Sequence, residues 1–220
     1  MKHNDVAMVI AAGGSGSRFS SAENKLFSNL DGLPVFIHCI KTFSQSLPQE
    51  NLILVVSESE KSRFESELKS AGFTKVKIVL GGDSRQDSVY NGLKAAPENC
   101  TIVGVHDAAR PYVTTGLLNE CIKYARIHGS GVAAHKVVNT IKLADASGKV
   151  IQTPDRNLCW AAETPQIFNK ENLLKAYEFV IKSNVTTTDD AQVLELFSLP
   201  VYLVENSCDN LKITYKKDLN

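Results

Sequence analysis

Three observations predict an α/β fold built on a mostly parallel sheet with helices on both faces. Short apolar runs alternate with stretches of helical spacing along most of the 220 residues. The first apolar run leads straight into a glycine-rich loop, and in open α/β sheets ligands bind at the carboxyl ends of strands. The composition, 43% hydrophobic and 22% charged, is ample for a buried core and argues against disorder, collagen and coiled coil. Lys plus Arg number 24 and Asp plus Glu number 24, so there is no bulk positive field to hold a nucleic acid duplex. A polyanionic ligand must instead be held by a local cluster of cations and by backbone N–H groups.

Residues 6–12, VAMVIAA, form a first strand that ends at glycines; the segment is a poor secretory signal. No apolar run approaches the roughly 18 residues that a membrane span needs. Residues 52–57, 76–80, 101–106 and 132–137 read as further strands, and 34–43, 61–69, 86–95 and 115–128 between them carry helical spacing. Strand–helix–strand units of this kind cross over right-handed. No repeat, linker or low-complexity tract interrupts the order, so residues 1–220 are expected to form a single domain. The rhythm breaks at 139–153. Two short alternating stretches, 140–143 and 149–152, flank Asp145, Ala146, Ser147 and Gly148, a hairpin with a turn. Such a ribbon is marginal alone and must pack on something, either as a surface flap or as an arm that reaches a partner subunit. Residues 170–183 and 189–197 then look helical, and 201–204 and 211–214 look like closing strands. The cysteines, Cys39, Cys100, Cys121, Cys159 and Cys208, are odd in number and lack C-x-x-C spacing. They suggest neither a disulfide framework nor a zinc site, and point to a reducing cytoplasm.

The chemistry-bearing residues fall at predicted strand ends. After the first strand come Gly13, Gly14, Ser15, Gly16, Ser17 and Arg18, then Lys25 beyond a polar stretch. The loop is neither G-x-x-x-x-G-K-[ST] nor G-x-G-x-x-G, because Phe19 stands where the last glycine of the latter would be. It is either a phosphate cradle followed by two cations suited to a reacting phosphoryl group, or a tight turn with two solvated cations. A second loop, Gly81, Gly82, Asp83, Ser84, Arg85, follows the third strand. Asp83 and Ser84 either cap the next helix, or Gly82 lets a nucleobase lie on the backbone while Ser88 contacts base or sugar. The fourth strand ends in His106, Asp107, Ala108, Ala109, Arg110. Asp107 is placed either for Mg²⁺ or a sugar hydroxyl, or for an ion pair with Arg110. His106 is expected to be a strand-end residue rather than a base, since an acidic phosphate oxygen needs none.

In combination these pieces resemble the 2-C-methyl-D-erythritol 4-phosphate cytidylyltransferase family of the non-mevalonate isoprenoid pathway. The resemblance spans nearly the whole chain. It rests on AAGGSGSRF (11–19), Lys25, GGDSRQDSV (81–89), VHDAARP (105–111), NTIK (139–142), Asp155 and Arg156, ETPQIF (163–168), TDDA (188–191) and DNLKIT (209–214). It implies a Rossmann-like nucleotidyltransferase fold with a protruding β-hairpin arm, at about 138–156, that crosses to the second subunit of a homodimer. It further implies that Ala12, Gly13, Gly14, Gly82, Asp83 and Ser88 face the cytosine and ribose of CTP. Gly16, Arg18 and Lys25 would face the triphosphate. Thr140 and Arg156 of one subunit would hold the polyol phosphate with Lys212. Asp107, Arg110, Thr164 and Thr188 would line the polyol side. Two phosphorylated reactants repel one another, so Arg18, Lys25, Lys212 and Mg²⁺, held mainly by phosphates with Asp107, would screen the charge. Arg156 suits bidentate contact to phosphate.

The chain departs from the family pattern at several positions. Asn24 and Leu26 flank Lys25 where Pro and Gln are common, Asn139 precedes Thr140 where an acid is common, and Glu163 replaces a common Gln. A customary final helix is expected to be short or absent. The closest alternative activity is that of a ribitol 5-phosphate cytidylyltransferase, which shares the loop, lysine and partner motifs. The alternative of a different class is a non-catalytic CTP-binding or dimer-scaffold protein, against which Arg18, Lys25, Asp107, Arg156 and Lys212 argue.

Overall fold

The structure, a computed structural model, describes residues 2–13 and 24–219. The strands are β1 (Val6–Ala11), β2 (Asn29–Leu30), β3 (Leu33–Pro34), β4 (Leu52–Val56), β5 (Lys77–Leu80), β6 (Ile102–Asp107), β7 (Ser130–Lys136), β8 (Leu143–Ala144), β9 (Val150–Gln152), β10 (Trp160–Asn169) and β11 (Leu203–Glu205). The α-helices are α1 (Val35–Ser46), α2 (Lys61–Ser70), α3 (Arg85–Lys94), α4 (Thr115–His128), α5 (Lys170–Lys182) and α6 (Asp190–Leu196). Among the described residues seven strands form the main sheet, in the order β11-β7-β10-β6-β1-β4-β5. β10 runs antiparallel to both of its neighbours. The pairs β1–β4, β1–β6, β4–β5 and β7–β11 are parallel. No described helix is long and apolar enough to cross a membrane.

The period of two along β1 divides the core into two layers. Val6, Met8 and Ile10 pack with Phe36 and Ile40 of α1 and Leu118 of α4. Ala7 and Val9 face the other way, toward Val89 and Leu93 of α3 and Leu173 and Tyr177 of α5. These five of the six β1 residues are fully buried, as expected of a strand covered on both faces. The helix ends follow local rules. Ser84 caps α3 in a reciprocal capping box with Asp87, Thr114 caps α4, and Gly129 ends α4 at φ 87°.

Most predicted elements appear within a few residues of their expected bounds, but three differ. Residues 211–214 form no strand; Ile213 is fully buried and donates its N–H to the Ala109 carbonyl, so the segment tucks onto the loop after β6 instead of pairing with an edge. The hairpin strands β8 and β9 are shorter than expected, with Asp145 Oδ1 accepting from Ser147 N, Ser147 Oγ and Lys149 N and Gly148 at φ 84°. Strand β10 has no counterpart among the predicted strands. Its Glu163, Thr164 and Gln166 are buried polar groups, so the apolar alternation that marks a strand is missing. Its register with β7 breaks between Ala162 and Gln166, where the Thr164–Pro165 peptide is cis.

Helix α3 packs tightly on the sheet at Gly92, where a Cβ would stand 2.5 Å from Val9 Cγ1 and 2.8 Å from Val55 Cγ2. Both neighbours are β-branched and locked in the sheet, so they have little room to yield. Gly92→Ala is expected to lower the unfolding free energy by about 1–3 kcal/mol, read as a lower urea midpoint at unchanged slope. An unchanged midpoint would show that α3 can step away from the sheet.

Candidate active site

The carboxyl ends of β1, β4, β5 and β6 share one rim, and the loops leaving them carry the candidate residues. Ala12 continues β1, buried, with its N–H on the Val55 carbonyl. Gly13 lies beside the end of β4 and the second loop, since a Cβ there would sit 3.9 Å from Ser88 Oγ. Gly81 donates its N–H to Val56 O. Ser88 Oγ accepts the Gly82 N–H at 3.0 Å, so this buried hydroxyl holds the second loop in shape. A Cβ on Gly82 would meet Asp87 Cβ at 2.5 Å, which is a packing reason for glycine there. Asp83 is exposed, and Ser84, not Asp83, caps α3. Gly14, Gly16 and Arg18 lie outside the described residues.

Beside this loop pair stands a group of cations. Lys25 opens a single 3₁₀ turn, Lys25–Phe27, whose cap is Asn24 accepting from Leu26 N at 3.0 Å. The Asn24 amide also donates to Glu60 at 2.8 Å. Asparagine therefore fixes the entry to Lys25 by hydrogen bonds where proline would do so by stiffness. Lys25 Nζ donates to the Ile213 carbonyl at 2.6 Å. The residue before Ile213, Lys212, places Nζ 2.6 Å from Asp107 Oδ2. Arg85 Nη2 is 3.6 Å from the other Asp107 oxygen, and Arg110 Nε is 4.0 Å from Oδ2. Three cations thus surround the single carboxylate of Asp107, and Lys25 joins them through the backbone next to Lys212. Burial opposes ionisation of Asp107, but Lys212, Arg85 and Arg110 outweigh it and hold the carboxyl at about 2.

As it stands this carboxylate does not fit a divalent cation. Both of its oxygens already face cations, and among the described residues no group of three metal-ligating side chains exists. Asp107 is better described as the anchor that keeps like charges together.

A chain of neutral hydrogen bonds fixes the loop carrying Asp107. The Asp107 N–H donates to Thr164 Oγ1 at 3.1 Å. Thr164 Oγ1 lies 3.0 Å from His106 Nδ1, and His106 Nε2 lies 3.1 Å from the Arg110 carbonyl. A carbonyl only accepts, so Nε2 carries the proton and Nδ1 accepts from the threonine hydroxyl. His106 is fully buried and edge-on to Phe43 at 4.8 Å. It is a structural residue at a strand end, as the sequence suggests. Thr164 is buried with its hydroxyl engaged on both sides, so it braces the rim from beneath and does not present a free hydroxyl at the polyol side.

Three residues without an assigned role tie the far side together. Asp190, fully buried, accepts from Arg85 at 3.3 and 2.8 Å and from the Tyr177 hydroxyl at 2.5 Å. Burial opposes the charge on Arg85, yet Asp190 and then Asp107 raise its pKa above the ordinary value. Burial and Asp190 together push the Tyr177 phenol up. Gln166 clamps the start of α6, donating to Asp189 at 2.9 Å and accepting from Ala191 N at 2.9 Å. Thr188, just before this clamp, is held by Gln192. Arg85, Gln166 and Asp190 belong to the quoted motifs, but spacing carries no sign that they meet.

Thr140 and Arg156 stand apart. Both are exposed on the arm, Arg156 Nη1 donates to the Val138 carbonyl at 2.9 Å, and among the described residues neither reaches the cation cluster by hydrogen bond or ion pair.

A family profile described as 2-C-methyl-D-erythritol 4-phosphate cytidylyltransferase matches residues 6–220. A protein of that name from Clostridioides difficile (strain 630) is 39% identical over 97% of this chain and 90% of its own length. One from Caldanaerobacter subterraneus subsp. tengcongensis is 37% identical over 98% of this chain and 96% of its own. The crystal structure of 4-diphosphocytidyl-2C-methyl-D-erythritol synthase from Anaerococcus prevotii DSM 20548 superposes with a TM-score of 0.84 at 27% identity, covering 98% of this chain and 95% of that one. The 2-C-methyl-D-erythritol 4-phosphate cytidylyltransferase of Thermus thermophilus gives 0.79 at 25% identity, over 100% and 96%.

Burial pushes His106 down from 6.5 to about 4, against smaller opposing effects of the Arg110 carbonyl and Asp107. The unfolded chain therefore takes up a proton below about 6.5 that the folded chain refuses until about 4. Stability from the neutral ring is full above that window and is lost as pH falls through it. The difference in urea midpoint between the wild type and His106→Gln should shrink steadily from about pH 7 to pH 4.5. A difference independent of pH would mean that the ring takes up its proton equally in the folded and unfolded chain, so that burial does not hold it neutral.

Proposed function

The chain belongs to the 2-C-methyl-D-erythritol 4-phosphate cytidylyltransferase family, and on that footing we propose that it transfers the cytidylyl group of CTP to 2-C-methyl-D-erythritol 4-phosphate in isoprenoid biosynthesis. A phosphate oxygen of the acceptor attacks the α-phosphorus of CTP. That P–O bond forms as the bond to the β-phosphate breaks, and pyrophosphate leaves. The observation that carries this reading is the convergence of Lys25 and Lys212 at one rim, Lys25 on the Ile213 carbonyl and Lys212 on Asp107, each at 2.6 Å. Two anions that repel each other need positive charge already in place where the bond forms, and an ammonium held by Asp107 requires little reorganisation.

Within this reading Ala12, Gly13, Gly14, Gly82, Asp83 and Ser88 border the nucleoside, and Gly16 lies on the triphosphate side. Arg18, Lys25 and Lys212 face the phosphates. Arg110, Asp107 and Thr188 bound the polyol side, with Thr164 supporting Asp107 from beneath. Enzymes of the family generally need a divalent cation. Mg²⁺ is proposed to ride on the phosphates, and no step is assigned to a metal on Asp107. Residues 1–220 are taken as one cytidylyltransferase domain with an arm at about 138–156. The arm supports a homodimer because its Val138, Leu143, Val150 and Ile151, and Leu158 just beyond it, are all exposed. In such a dimer Thr140 and Arg156 of one copy would hold the polyol phosphate beside Lys212 of the other. Five unpaired thiols accord with a reducing, cytoplasmic setting.

Purified protein with Mg²⁺, CTP and 2-C-methyl-D-erythritol 4-phosphate should form the cytidine diphosphate product and pyrophosphate, and do so faster than with ribitol 5-phosphate; folded protein that releases no pyrophosphate with the first acceptor refutes the assignment. Lys25→Ala should lower kcat by about tenfold or more with a smaller change in KM, whereas Arg156→Ala should chiefly raise KM for the polyol phosphate. Interchanged effects would mean interchanged roles. Deleting residues 139–153 should yield monomers of little activity by light scattering and turnover, and an active monomer would contradict a shared site.

A further inference from the structure

Glu163 lies outside the cation cluster but is joined to it through the backbone that precedes Lys212. Its side chain is buried, and the hydrogen bonds it accepts come from separate stretches of chain. His135, on β7, donates from Nδ1 to Oε1 at 2.7 Å. Asn206 and Asn210 both donate amide N–H groups to Oε2 at 2.9 Å. Those two asparagines bracket the loop that runs from β11 to Lys212, and β7 runs on into the arm. Asn210 also donates to the Thr164 carbonyl at 2.8 Å, and its own carbonyl accepts from Arg110 Nη1 at 2.8 Å. Its Oδ1 is buried without a partner. The Asn210 side chain is therefore held only by the two bonds it donates, and removing the carboxylate deletes one of them.

We infer that Glu163 is a positioning residue for Lys212. By gathering Asn206 and Asn210 it sets the path of the loop that delivers the Lys212 ammonium to Asp107 and the Ile213 carbonyl to Lys25. Through His135 it ties that loop to the base of the same chain's arm, so one buried carboxylate braces both this copy's lysine loop and the arm it would lend to its partner's site. The catalytic consequence rests on the cytidylyltransferase reading; the mechanical one does not. The carboxylate works through its oxygens. One oxygen already serves both asparagines, so glutamine can keep those bonds and turn its NH₂ toward His135 in the tautomer whose Nδ1 accepts. Leucine of similar size accepts nothing and leaves buried donors unpaired.

Glu163→Leu, Glu163→Gln and Asn206→Ala in the full chain separate these roles. Hydrogen exchange of the amides at 206–213, without ligand, should quicken about tenfold in Glu163→Leu. In the same variant kcat should fall about tenfold while KM for CTP stays within about twofold, as for an interaction expressed in the transition state. Glu163→Gln should restore both readouts. Asn206→Ala should quicken exchange in the same segment by a smaller factor, and it carries the test if Glu163→Leu does not fold. Unchanged exchange in a folded variant overturns the inference, as does quicker exchange with unchanged kcat, or Glu163→Gln as damaged as Glu163→Leu. If the wild type turns over no polyol phosphate, the functional reading fails by itself, and the exchange pattern still decides whether Glu163 holds the loop.

Discussion

Four positive groups crowd one rim of this sheet, and the constraint on everything around them is that they must not push one another away. Asp107 meets it. Its carboxylate takes the Lys212 ammonium at 2.6 Å, with Arg85 and Arg110 within 4.0 Å. The attraction of these three cations holds its carboxyl low against the opposing effect of burial. Without such an anchor the lysines would swing to solvent, and the ordering cost would fall on the reacting complex. The same arrangement explains why the carboxylate is unsuited to a metal in this state: its charge is already taken.

An anchor is useful only if it is itself held. The Asp107 backbone is fixed by Thr164 and, through that hydroxyl, by the neutral His106 ring. Arg85 is fixed from behind by the buried Asp190, which Tyr177 also contacts. Gln166 stitches α6 to β10. Each tie is a buried polar group satisfied by a partner distant in sequence, so that displacing one strands another in a place water cannot reach. Strand β10 supplies Glu163, Thr164 and Gln166 to this scheme. It is the polar spine of the site, as β1 is the apolar spine of the core.

Asn24 illustrates how local chemistry compensates for a departure from the common family pattern. Its side chain caps the 3₁₀ turn that starts at Lys25 and reaches Glu60, so the lysine enters the rim from a defined direction without a proline. Glu163 does the same on the opposite side, holding through its carboxylate the loop that leads to Lys212.

The fold class was legible from the sequence because strands buried on both faces write continuous apolar runs, and glycine-rich loops after β1 and β5 mark the rim. The candidate residues along those loops were legible as motifs for the same reason: each motif is local. Strand β10 was not, because its buried positions are polar and their partners lie far along the chain. Residues 211–214 read as a strand from their alternation, yet they close over the β6 loop, where Ile213 finds both its burial and its backbone partner. Tertiary structure alone decided that Lys25 meets Ile213, that Lys212 meets Asp107, and that Arg85 meets Asp190. A spacing rule extends over one helical turn or one strand pleat, whereas these contacts bridge 105 residues or more and depend on how the sheet is ordered.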